Sequence, residues 1–578
     1  MKDFFQENDF PDSPPQPNGS NIVIANDRPY KIGGSSVSLP AHERRINYLS
    51  EIIPISKQTN MEDMTMTSEN ADQNPWSSIS PLSAVFVIMM SLALGAYLCS
   101  AIYDPDGFWH LALGILAENK TLLTQTSWLA QPLRGPHFFQ TSWLFDYALA
   151  KVYASDNFAS LAMLKAGFHS LGVLLLTFVF VRRSGSLPLG LGVSVITSIG
   201  IYTDSPFTPE ILAYPLLAVL IELAYTISER GLRTWNLLSF ALVSVVLANI
   251  SELSLVLPFF LPILAANDQK QGLRRSPKSL LVLSVLSLLS LCLTPNFGAQ
   301  IWPCLLGALS QMLSEVTLQT HLFSIYFYPS AIMLLLAATI VLLLSRKLGS
   351  LSRGEAMLVL LLACLCLASR EYAKVSLIYF AFLNAKILGE ARSDSSDLGL
   401  HHAIANLHIN LKTLPYPGMC FLCAVFWILN VNSLRLEPVE SLVLPGSASS
   451  YLASEAKGAV LLNPPEVGGF LLYRFAESGQ LSGPLLTADP SLRQSAPRML
   501  AELAQVKDLK GHWRELLLEL KADFVLCRNF DPIAALLQIS PEWELVHAPD
   551  LSLWNQSAPA WIVFRKKKQQ TNVEDGQK

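Results

Sequence analysis

From residue 81 to residue 432, apolar runs of roughly bilayer-spanning length alternate with short polar breaks, and about eleven of them are predicted to be membrane-spanning helices. Their centres fall near Met90, Val173, Val195, Leu217, Val243, Phe260, Val285, Leu335, Leu361, Tyr379 and Cys423. The runs on either side of Asn249 to Leu253 are short, which leaves room for a re-entrant or broken helix there. Residues 1–78 have no sustained period and are rich in Pro, Ser, Asn, Asp and Gln, the pattern of a disordered tail. After residue 440 the pattern changes. Short runs such as "KGAVLLNP", "ADFVLCR" and "APAWIVFRKK", bounded by turn residues, alternate with helical stretches such as Gln505 to Lys521. These predict a small α/β domain over 440–567, followed by a polar tail at 568–578.

Composition agrees with a polytopic α-helical membrane protein. Apolar residues make up 51% of the chain and charged residues only 15%, and mean hydropathy is +0.37. A net charge of −4 gives no reason to expect a nucleic-acid partner. The first apolar run begins too far along the chain for a cleavable signal peptide. The 8 cysteines show neither zinc spacing nor a disulfide framework, and we read them as packing residues. Lys and Arg fall in alternate loops: Arg182 and Arg183; Arg230 and Arg233; Lys270 to Lys278; Arg346 to Arg353; Lys386 to Lys412. Positive residues stay on the cytoplasmic side. The amino terminus of a cytoplasmic-membrane protein is therefore expected inside, and the α/β domain outside. The long loop 103–158 would also lie outside, with "FWHLALGILAEN" and "TSWLFDYALAKVYA" as helices along the membrane interface.

That loop begins with "DPDGFWH", which places Asp104, Asp106, Trp109 and His110 at the membrane edge. Carboxylates there are costly unless they bind a cation or handle a proton. The pair could share a divalent ion with a phosphate, or one could take a hydroxyl proton. His110, four residues after Asp106, would turn back toward it on a helix. An aspartate capping the next helix would give the same spacing. Glu210, Ser251 and Glu252, Glu315, His321, Arg370, Glu371 and Lys374 are expected at the same face. The two basic residues suit a lipid-linked phosphate, and helix ends would equally carry such residues.

The run "DPDGFWHLALGILAENKTLLTQTSWL" resembles the first outer loop of bacterial clan C glycosyltransferase-like membrane proteins, through Phe108, Trp109, His110, Leu111, Gly114, Trp143 and Leu144. "LANISELS" resembles that family's Ala-Asn-x-His-Gly turn, "LTPNFG" its Asn-Pro-x-Gly turn, and "LNPPEVGGFLLYR" the signature opening its outer domain. Ser251 stands where the family has histidine, and "TADPSLR" replaces its Asp-Gly-Arg. The resemblance implies inverting transfer of a sugar from a polyprenyl-phosphate donor to an extracytoplasmic glycan, lipid or protein acceptor. Asp106 would act as base, or with Asp104 hold Mg2+ or Mn2+. His110 would orient Asp106, Arg370 and Lys374 would offset phosphate charge, and Trp109, Glu210 and Glu252 would contact substrate. A non-catalytic scaffold or assembly factor, or a transporter of envelope glycan or lipid, would share much of this pattern.

Overall fold

The computed structural model describes residues 81–99, 105–118, 140–202, 206–265, 276–302, 304–306, 339–340, 351–368, 370–393, 416–433, 444–478, 484–490, 492, 497–548 and 560–567. Asp104, Glu315, His321, the run centred on Leu335 and the two expected tails lie outside them.

Every other expected span centre falls on a helix: α1 (Pro81–Leu98), α3 (Trp143–Ser184), α4 (Leu187–Tyr202), α5 (Glu210–Arg230), α6 (Thr234–Ile250), α7 (Val256–Ala265), α8 (Pro277–Cys292), α9 (Arg353–Ala368), α10 (Arg370–Ser393) and α11 (Tyr416–Ser433). The short α2 (Pro105–Glu118) precedes α3. Among the described residues, three stretches are long and apolar enough to cross a bilayer: Pro81–Leu98, Phe158–Ser184 and Glu210–Arg230. Trp235, Leu242, Phe421 and Leu422 point outward from the bundle, as side chains do where lipid is the solvent. The broken segment foreseen near Asn249 is a short 3-10 turn, Glu252–Leu255, that leads directly into α7.

α3 changes direction inside its length. The rings of Phe145 and Phe168 lie 5.9 Å apart, whereas 23 residues of straight helix would separate them by about 34 Å. The first arm, from Trp143 to about Ser155, therefore folds back on the spanning arm that begins at Phe158, and Tyr153 and Phe158 touch at the bend (5.3 Å). One face of the arm predicted as an interface helix packs against protein, through Phe145, Leu149 and Ala150. In α2, the other predicted interface helix, Phe108, Trp109, Leu111, Ala112, Leu113 and Leu116 are all buried. The first arm of α3 keeps Tyr147 and Lys151 on an exposed face, whereas α2 is enclosed.

The helices run back and forth between two ends. One end holds the carboxyl ends of α3 and α5, where Arg182 pairs with Glu222 (3.2 Å) and Arg183 with Glu229 (2.6 Å). There also α9 and α10 meet, through Lys386 and Glu355 at 2.6 Å. Glu355 accepts from Tyr225 as well (3.0 Å) and from the backbone N–H of Ser352 (2.9 Å), which fixes the start of α9. At the opposite end lie the first arm of α3, the start of α5 and the carboxyl ends of α6 and α8: Trp143 Nε1 donates to Asn249 (2.6 Å), and Asn249 Nδ2 reaches the Leu293 carbonyl (3.4 Å).

Residues 444–567 carry a five-stranded mixed sheet. The strands are β1 (Val460–Leu462), β2 (Leu485–Leu486), β3 (Phe524–Arg528), β4 (Trp543–His547) and β5 (Trp561–Lys566), in the order β2-β1-β3-β5-β4. β2, β1 and β3 run parallel, and β5 runs antiparallel to both of its neighbours, β3 and β4. Period-2 alternation splits the sheet into two faces. Leu461, Phe524, Leu526, Trp561 and Val563 pack toward α12 (Gly446–Glu455) and α13 (Gly468–Glu477), in a core continuous with α2. Leu462, Val525, Cys527, Ile562 and Phe564 form the other face, under α14 (Pro497–Val506), α15 (Trp513–Glu519) and α16 (Pro532–Ile539). Cys527 is a packing thiol there; burial pushes its pKa up and keeps it protonated. At the end of β1, Asn463 donates to the Ala488 carbonyl (2.7 Å) and accepts from the backbone N–H of Thr487 (3.1 Å), tying the loops after β1 and β2 together.

Candidate active site

Pro105 opens α2, at a position where a helix loses nothing by lacking the N–H. Asp106 follows in the first turn, and His110 comes one turn later on the same helix. His110 Nδ1 lies 2.7 Å from Oδ1 of Asp146, at the start of α3. Asp146 is fully buried and its oxygens are well supplied with donors. Gln140 Nε2 donates to Oδ2 at 2.5 Å, and the Ser142 hydroxyl is within 3.2 Å of Oδ1 and 3.1 Å of Oδ2. Burial pushes the His110 ring toward its neutral form. The Asp146 carboxylate, by charge and hydrogen bond, outweighs that, with Glu210 and Asp106 adding attraction, so the imidazole titrates above its ordinary value.

The expectation that His110 turns toward Asp106 is therefore corrected. Its hydrogen-bond partner is Asp146, 36 residues further along the chain, while Asp106 acts on the ring through charge. The physical reason is Gly114, next to which α2 meets the backbone of α3: a Cβ there would sit 2.0 Å from the Asp146 carbonyl oxygen. That close approach brings the ring of His110 to a carboxylate already buried and oriented. Neither Asp146 nor its partners Gln140 and Ser142 figured among the sequence candidates. The available signal was an aspartate within the apolar stretch "WLFDYALA", which a membrane-associated segment tolerates only when partnered.

Two turns singled out in the sequence are wired to this arrangement. Asn249 of "LANISELS" accepts from Trp143 (2.6 Å), and Asn296 of "LTPNFG" donates to the Gln140 carbonyl (3.2 Å). The second turn carries Phe297 and Gly298 at positive φ, 48° and 80°. Glu252, beyond the first turn, is exposed, and Trp109 is buried beside His110.

Behind the acidic group stands an aromatic layer and then a basic one. Phe145 lies 5.6 Å from His110 and 5.8 Å from Phe207. Lys165 Nζ is 5.9 Å from the Phe207 ring, and Lys165 and His169 are fully buried on the spanning arm of α3. Lys374, nearly buried, sits 5.8 Å from the ring of Tyr214, one turn beyond Glu210 on α5. Arg370 begins α10 one turn before Lys374. Among the described residues no three His, Cys, Asp or Glu side chains gather as a metal ion would need, and the second expected carboxylate ligand, Asp104, lies outside them.

No family model matches the chain, and no curated protein matches it. Among solved structures it is similar to the oligosaccharyltransferase of Archaeoglobus fulgidus, crystallised with a tethered acceptor peptide containing the NVT sequon. The TM-score is 0.48 and the identity 10%, with 78% of this chain and 69% of that one covered.

Proposed function

We propose that the protein is a membrane glycosyltransferase that moves a sugar from a polyprenyl-phosphate carrier to an acceptor hydroxyl or amide on the extracytoplasmic side. The observation that supports it most is the His110–Asp146 pair with Asp106 and Glu210 around it, at the bundle end opposite the paired arginines. If the arginine-rich end is cytoplasmic, this acidic group and the α/β domain lie outside, where a lipid carrier would present its sugar. The sequence resemblance of "DPDGFWHLALG" to clan C enzymes adds to the reading.

In this reading Asp106 takes the proton of the acceptor as its heteroatom attacks the anomeric carbon, and the bond from that carbon to the phosphate oxygen breaks with inversion. Asp146 anchors the His110 ring through Nδ1, and the carboxylates of Asp146, Glu210 and Asp106 favour its protonated form. Lys374 and Arg370 offset the charge that grows on the polyprenyl phosphate as it leaves. Glu210, Glu252 and Trp109 are the proposed contacts for sugar and acceptor. In the alternative, Asp106 and Asp104 would together hold Mg2+ or Mn2+, which would lower the charge on the leaving phosphate in place of the base role.

The deciding experiment is sugar release from labelled polyprenyl-phosphate sugars by the purified protein in lipid. Wild type is compared with Asp106→Asn, with and without each metal. Release by wild type and none by the variant supports the assignment; equal release from both removes Asp106 from it. Where wild type releases nothing from any donor and a chain with both Asp104 and Asp106 replaced retains its cellular role, the protein is a scaffold.

A further inference from the structure

α2 is gripped from two sides. His110 and Gly114 face the first arm of α3, whereas Phe108 points into the α/β domain. Its ring lies 5.1 Å from Phe470 and 5.2 Å from Tyr473 of α13, and 6.1 Å from Phe158 at the bend of α3. Phe108 is only 1% exposed, and Phe470 is fully buried. Beside this aromatic cluster runs a polar chain: the Tyr153 hydroxyl donates to Glu477 (2.5 Å), and the Tyr473 hydroxyl lies 2.7 Å from it, placed to donate in turn. Burial, with the Glu477 bond, pushes the Tyr153 hydroxyl up to about 12, so it remains a donor at any physiological pH.

We infer that Phe108 is a positioning residue through which the α/β domain sets the attitude of the helix that carries Asp106 and His110. The kinetic part of this inference rests on the glycosyltransferase reading; the structural part rests on the contacts alone. Asp106 and His110 flank Phe108 two residues away on either side, each about 3 Å along the helix axis. Any tilt or rotation of α2 about its Phe108 contact therefore displaces both. α2 has only 14 residues, too few to hold its attitude without packing partners. The domain that grips it is built for rigidity at that point: Gly468, at the start of α13, abuts the loop after β2 so closely that a Cβ would lie 2.2 Å from the Ala488 carbonyl oxygen. A domain whose sole task was to recognise an acceptor would have no need to wedge an aromatic pair against the helix bearing the proposed base.

The test uses the full chain in lipid nanodiscs with ring-13C histidine, the His110 signal being assigned by its loss in His110→Gln. Phe108→Ala and Phe470→Ala remove the contact from either side, and Phe108→Leu restores apolar bulk. We expect both alanine variants to lower the His110 titration midpoint toward the ordinary imidazole value. Their kcat for sugar release should fall about ten-fold with KM for the donor unchanged, and Phe108→Leu should recover a large part of both. Phe470→Ala keeps the test usable if Phe108→Ala fails to fold. Folded alanine variants with a wild-type His110 titration overturn the inference. If wild type releases no sugar, the glycosyltransferase reading falls on its own, and the titration still decides the role of Phe108.

Discussion

His110 and Asp146 hold one another at 2.7 Å across the line where α2 meets α3, the carboxylate fully buried and the ring 14% exposed. The raised imidazole value fixes the sign of its pH dependence. The stabilisation is fully present below the unfolded-state value of about 6.5 and is lost as pH rises through the folded-state value. Asp146→Asn removes the attraction and leaves the burial, so the His110 midpoint falls. In that variant sugar release should decline at lower pH than in wild type. A wild-type alkaline limb in the pH profile of Asp146→Asn would show that the pair does not govern the reaction.

Gly114→Ala should be costly for a small change. The added methyl meets backbone, not a side chain that can swing away, so α2 must shift off α3. We expect a stability loss of about 1–3 kcal/mol and a fall in turnover of about a hundred-fold. Thermal unfolding in detergent and single-turnover release measure the two. Gly114→Ser should be at least as damaging.

At the other end of the bundle, Lys386 and Glu355 are buried almost completely at 2.6 Å. Lys386→Met takes from buried Glu355 its ion-pair partner and should destabilise by about 3–5 kcal/mol. Adding Glu355→Gln removes the carboxylate charge while keeping an acceptor for Tyr225, and should recover most of the loss. Because this pair is remote from His110, release per folded molecule should not change. Failure of the double variant to recover would place the cost in packing instead.

Asn249→Leu takes the acceptor from Trp143 Nε1 and a donor from the Leu293 carbonyl. It should cost about 1–3 kcal/mol and loosen the first arm of α3. Trp143 fluorescence in a chain lacking the other tryptophans would report that loosening as a red shift.

The helices were legible because an apolar run of bilayer length has few alternatives: Val173, Leu217 and Tyr379 each lie on one. The mixed sheet followed from short apolar runs such as "ADFVLCR" and "APAWIVFRKK", which became neighbouring strands β3 and β5. The bend in α3 was not legible as a reversal, since neither Pro nor Gly stands in "VYASDNFAS" to mark it, and it shows in the packing of Phe145 against Phe168. Of the site, Asp106, His110 and Glu210 were picked out because they are charges at the ends of apolar runs. Asp146 was passed over because its neighbours Trp143 and Tyr147 suit a lipid interface equally well, and pairing across 36 residues has no local signature. Arg370 and Glu252 were grouped with the site by side of the membrane only, a criterion that says nothing about distance.

The grip of α13 on α2 joins a late-synthesised part of the described chain to one of its first helices. Asp106, His110, Asp146 and Glu210 all emerge within the first half of the sequence, yet Phe108 can acquire Phe470 and Tyr473 only once the chain has been made beyond them. Synthesis thus leaves α2 without its second wall until late. The α/β domain is the closing piece of an assembly whose other parts are made before it, and a chain that stalls before completing it would hold the polar residues of the site on an incompletely supported helix.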